Sequence, residues 1–133
     1  MSTPDAAVIP ESGALIYVVD DESMVGDLVA TVLEMAGYQI SLFRKPAEAL
    51  KAFIAANPRP ALLLTDFNMD GLNGMELIEQ CKRVQPTLKT ILCSGTVGME
   101  ITQRYLVKPD FFIRKPFERL NNLVDAVRLV LAT

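Results

Sequence analysis

Residues 66–77 read DFNMDGLNGMEL, and two chemistries fit the opening of that stretch. Asp-x-Asn-x-Asp-Gly alternates oxygen donors ahead of a glycine, as an EF-hand calcium loop does. An aspartate that ends a hydrophobic run also suits a carboxylate that accepts a phosphoryl group. The flanking sequence decides between them.

Immediately upstream, ALLLT (61–65) reads as a strand, and downstream Met75, Ile78, Cys81 and Val84 recur at helical spacing until Pro86 closes the helix. The same alternation extends in both directions. LIYVV (15–19) suits a strand buried on both faces. QISLF (39–43), TILC (90–93) and DFFI (110–113) supply three more. Between the first two, Val25, Leu28, Val29, Val32 and Ala36 mark a helix beginning at Ser23, with Gly37 at its C-terminal end. Pro46 opens a helix with Leu50, Phe53 and Ile54 on its apolar face, ended by Asn57-Pro58. Residues 97–106, flanked by Gly95, Gly98 and Pro109, read as a poor helix, whereas Leu120, Leu123, Val124, Val127, Val130 and Leu131 form one clear stripe. Five strands alternating with five helices predict a single-domain α/β fold, with a parallel sheet covered on both faces, over residues 14–131. Residues 1–13, with two prolines and no periodicity, read as a flexible N-terminal tail.

Composition narrows the function. The chain of 133 residues carries a formal charge of −3, so no basic field calls for nucleic acid. Residues 1–43 hold no Lys or Arg and seven acids, leaving all 13 basic residues to the remainder. An uncharged start with only a short apolar run is not a secretory signal, and no stretch reaches membrane-spanning length. Cys81 and Cys93 sit in apolar segments without metal-ligand spacing and read as reduced core thiols, so a cytoplasmic protein is expected. The chain has no histidine, which excludes a Ser-His-Asp triad, an imidazole metal ligand and a phosphohistidine of its own. Phosphate chemistry here has to use carboxylates, hydroxyls and lysine.

In open parallel sheets, ligands bind beyond the carboxyl ends of the strands. The predicted strands end at Asp20-Asp21, Asp66, Ser94 and Lys115-Pro116. Each has a plainer reading: aspartates and Glu22 as helix caps, Ser-Gly as a turn, Lys-Pro as a helix start. Four strand ends carrying such groups at once are hard to assign to caps. Three clustered carboxylates need a cation, and an oxygen-only donor set suits magnesium.

With VVDDE (18–22), LLLTDFNMDGLNGMELI (62–78), TILCSG (90–95) and FFIRKPF (111–117) in place, the sequence resembles the receiver domain of two-component response regulators. The resemblance spans nearly all of residues 14–131. It implies a flavodoxin-like strand order 2-1-3-4-5, which general accounts of the fold give for a chemotaxis receiver. It implies that Asp66 accepts a phosphoryl group from a histidine kinase or histidine phosphotransfer protein. Asp21, Asp66 and the backbone carbonyl of Asn68 would hold Mg2+, with Asp20 acting through the water shell. Lys115 and Ser94 would stabilise the phosphoryl group, Phe112 would be the aromatic switch, and the bond before Pro116 would be cis. Such a chain is a signalling module with slow phosphate loss at most, not an enzyme. It is either a stand-alone receiver, whose initial Met is an authentic start, or one part of a longer protein whose output domain follows residue 131.

Two features depart from the family. Asp70 stands where proline is frequent, which creates the calcium-like spelling, and Val107-Lys108-Pro109 replaces the usual Ala-Gly. Two alternatives fare worse. An EF-hand loop needs a bidentate Glu at its twelfth position, where this chain has Leu77. A haloacid-dehalogenase-like phosphatase needs a second Asp as general acid at position 68, and Asn68 cannot transfer that proton.

Overall fold

A computed structural model describes residues 13–133, except Val97, Glu118 and the side chain of Met99. All but Gly13 of the expected tail lies outside the described residues. The elements run β1 (Leu15–Val19), α1 (Ser23–Met35), β2 (Gln39–Phe43), α2 (Pro46–Ala55), β3 (Leu62–Asp66), α3 (Gly74–Val84), β4 (Lys89–Ser94), a 3₁₀-helix (Met99–Arg104), β5 (Phe111–Arg114) and α4 (Leu120–Leu131). All neighbouring strands pair in parallel, in the order β2-β1-β3-β4-β5.

The strands are mostly apolar along their middles because both faces of the sheet are covered, and the side chains divide with period two. Ile16, Val18, Leu62, Leu64, Ile91 and Cys93 join a core with Val29 and Leu33 of α1 and Leu123 and Val127 of α4. Tyr17, Val19, Leu63 and Leu92 point the other way, onto Phe53 of α2 and Met75 and Ile78 of α3. Cys81 and Cys93 are free and buried, and burial pushes the Cys81 thiol up to about 12.

One element departs from expectation. Of the expected helix over 97–106, the described residues 98–106 form no α-helix and make the short 3₁₀ segment Met99–Arg104. Pro109 has no amide to donate and biases Lys108 toward extended backbone. The end of the segment is held from outside instead: the Lys108 ammonium donates to the carbonyls of Thr102 at 2.6 Å and Tyr105 at 2.5 Å. The segment is also tied sideways, since the Asn73 amide donates to the Tyr105 hydroxyl at 3.1 Å.

Phe53 tests the second core. It is fully buried, edge-on to Tyr17 at 6.4 Å, with the Arg59 guanidinium 5.6 Å from its ring centre. Phe53→Ala should lower unfolding stability by about 3–5 kcal/mol, read from the urea midpoint with an unchanged slope.

Candidate functional site

The ladder of sheet hydrogen bonds continues past the strand ends and sets the functional residues in place. The Asp20 amide donates to the Phe43 carbonyl at 3.0 Å, the Phe67 amide to Cys93 at 2.8 Å, and the Lys115 amide to Ser94 at 2.9 Å. With the β1–β3 pairing, these bonds bring the ends of all five strands to one edge.

Asp20, Asp21 and Asp66 meet there, each offering a carboxylate oxygen within 4.8 Å of the others. Asp20 and Asp66 are buried, at 5% and 6% exposure, while Asp21 faces solvent. The Lys115 ammonium lies 3.2 Å from Asp20 Oδ2, 3.3 Å from Glu22 Oε1 and 3.5 Å from Asp66 Oδ1. The peptide bond between Lys115 and Pro116 is cis. A cavity of about 660 Å³ opens over the cluster, and Asn68, Gly95 and Thr96 line it.

Burial is the largest influence on both inner carboxylates. It raises the Asp66 pKa to about 6, against the opposing pull of Lys115 and with further upward pressure from Asp20. Asp20 is raised for the same reason, although the Glu22 amide donates to it at 2.9 Å and Lys115 faces it. Burial alone would depress Lys115, but the Asp20 and Asp66 carboxylates outweigh it and its pKa is raised. Two buried carboxylates share one ammonium, so the donor set is short of positive charge. It is made of oxygen alone, and it fits a hard dication such as magnesium.

Ser94 is fully buried at the end of β4, and its hydroxyl oxygen accepts the Thr96 amide at 3.3 Å. The Asn68 side chain is exposed and donates to the Thr96 hydroxyl, bridging the mouth of the site. Phe112 stands apart. It is half-buried on β5, packed against the second core, and lines a separate cavity between β5 and α4.

The calcium reading does not survive. Asp66 ends a strand, and Leu77, at the twelfth position, is wholly buried in α3. Gly71 supplies the turn with φ +87°.

Two residues escape the sequence reading. Gly74 begins α3 directly against the Asp66 carbonyl, where an added Cβ would sit 2.3 Å from that oxygen. Glu22 reads as a helix cap, yet its side chain makes no cap bond and turns to Lys115. The sequence does signal that a helix starts at Gly74, though not its closeness to Asp66. Asn73-Gly-Met-Glu76 spells a capping box, and both of its reciprocal bonds form, at 2.8 Å each.

Comparisons with known proteins agree with this geometry. The family model described as the response regulator receiver domain matches residues 16–128. The nitrogen assimilation regulatory protein NtrX of Azorhizobium caulinodans is 36% identical over 121 residues, covering 89% of this chain and 25% of that protein. The DNA-binding transcriptional regulator NtrC of Escherichia coli is 30% identical over 117 residues, covering 87% of this chain and 24% of that protein. The chain thus spans about a quarter of the length of these curated relatives. Among solved structures, the receiver domain of NtrX from Brucella abortus superposes with a TM-score of 0.76 at 31% identity, covering 89% and 98% of the two chains. A CheY-like receiver domain protein from Methanospirillum hungatei reaches 0.83 at 25% identity, covering 91% and 95%.

The raised carboxylates predict an unusual pH dependence. Between an ordinary carboxylate pKa of about 4 and the folded value of about 6 at Asp66, the folded chain binds more protons than the unfolded one. Stability without metal should therefore fall as pH rises through that window. Urea unfolding in chelator should show this decline, and Asp66→Asn should flatten it.

Proposed function

The chain belongs to the response regulator receiver domain family, and from that premise we propose that Asp66 takes a phosphoryl group from a phosphohistidine on a partner protein. Receivers are phosphoryl-accepting signalling modules of two-component systems and bind magnesium at an acidic pocket. The observation that carries the assignment is the buried Asp66 carboxylate with the Lys115 ammonium 3.5 Å away, beneath an open cavity.

The transfer breaks the P–N bond of the donor imidazole and forms a P–O bond to an Asp66 oxygen. It needs in-line placement and neutralisation of charge more than acid-base work. With a pKa near 6, Asp66 is mostly ionised at neutral pH and ready to attack. Lys115 offsets charge on the equatorial oxygens, and the Ser94 hydroxyl donates a hydrogen bond to one of them. Asp20, Asp21, Asp66 and the Asn68 carbonyl would hold magnesium, which supplies the remaining positive charge when bound. The donor histidine in this reading lies on a histidine kinase or phosphotransfer protein, since these 133 residues contain none. No helix among the described residues is long and apolar enough to cross a membrane, and we place the exchange in the cytoplasm.

Incubation with acetyl phosphate and magnesium should add one phosphoryl group, detected by intact mass. Asp66→Asn should abolish the addition; a variant that still gains the group would overturn the assignment.

For output, the new charge beside Ser94 draws that hydroxyl inward. Gly95 and Gly98 let the loop follow, and Phe112 turns into the vacated space. The surface formed by residues 98–113 and α4 then changes, at a cost of only a few kcal/mol between two states. That surface would engage a downstream protein or an attached output domain. Amide NMR shifts on adding beryllofluoride should reach residues 98–113. Shifts confined to residues 20, 21 and 66 would refute the switch.

A further inference from the structure

Lys115 has three N–H donors, and three carboxylates surround it. Asp66 is the farthest of them, behind Asp20 and Glu22. Glu22 differs from the other two in being exposed, with 63% of its side chain accessible against 7% for Asp20 and 8% for Asp66. It also occupies the N-cap of α1 without capping it, and glutamate is a poor choice for that role. Its carboxylate reaches across to Lys115 from α1, while its amide orients Asp20.

We propose that Glu22 restrains phosphoryl uptake, holding the Lys115 ammonium at the mouth of the site until the arriving phosphoryl group takes it over. The inference rests on Asp66 being the acceptor. Lys115 hydrogen-bonds Asp20 and Glu22 and stands 3.5 Å from Asp66, so its ammonium must move toward Asp66 to meet the arriving phosphoryl group. The bond to Glu22 is the one released, because water replaces it readily at that exposed position, whereas Asp20 would be left charged and buried. Release of Glu22 is therefore part of the barrier to uptake. It is not part of the barrier to phosphate loss, because Lys115 is already on the phosphoryl group when loss begins.

This split separates the ion pair from a general charge effect. Glu22→Gln keeps the shape and the amide but removes the charge. Glu22→Asp keeps the charge near the helix start but falls one methylene short of Lys115. Both should speed uptake from acetyl phosphate by about two- to fivefold, the size of an exposed ion pair, with the rate of phosphate loss unchanged.

The proposal is overturned if uptake is unchanged in both variants. It is overturned equally if Glu22→Asp behaves as the unaltered chain while Glu22→Gln does not, since charge alone would then be responsible. Equal acceleration of uptake and loss would also defeat it. Absence of uptake by the unaltered chain would instead remove the acceptor assignment, and this inference with it.

Discussion

One ammonium between two buried carboxylates sets the terms for the site. Asp20 and Asp66 are both withdrawn from water at the ends of adjacent strands. Like charges so placed are destabilising unless matched, and Lys115 is the protein cation that faces both. Its position depends in turn on the register of β5 against β4, where Ser94 pairs with Arg114 and the next amide returns to Ser94. A slip of that edge strand would move the ammonium and leave two carboxylates exposed to each other. The electrostatics of the site and the order of the sheet are thus one constraint.

Much of this was legible in the sequence because strand ends and function coincide. LIYVV and QISLF match β1 and β2 residue for residue. The sequence marks the third strand at 61–65, whereas it runs Leu62–Asp66, because a charged residue looks like the end of a strand. In fact Asp66 still lies in register with Cys93, and the Phe67 amide extends the ladder further. The converging groups Asp20, Asp21, Asp66 and Lys115 could be named from position alone.

What was not legible depends on tertiary contact. The irregular 98–109 stretch announces itself through Gly95, Gly98 and Pro109, but nothing local foretells that the Lys108 side chain closes its end. The closeness of Gly74 to the Asp66 carbonyl arises only when α3 docks on β3. The turn of Glu22 toward Lys115 joins residues 93 positions apart. Periodicity reports faces and boundaries; it carries no information about which distant side chain meets which.

The tie between Asn73 and Tyr105 has an optical consequence. The chain contains three tyrosines and no tryptophan, so tyrosine dominates its near-ultraviolet emission. Tyr17 and Tyr38 are buried in opposite cores. Tyr105 is half-buried, and its hydroxyl is held by the residue that caps the helix after Asp66. A movement of the 99–110 segment that parts this pair alters the surroundings of one chromophore against the background of the two buried ones. The native chain therefore carries a label-free spectroscopic probe at the junction between its acidic pocket and its least regular segment.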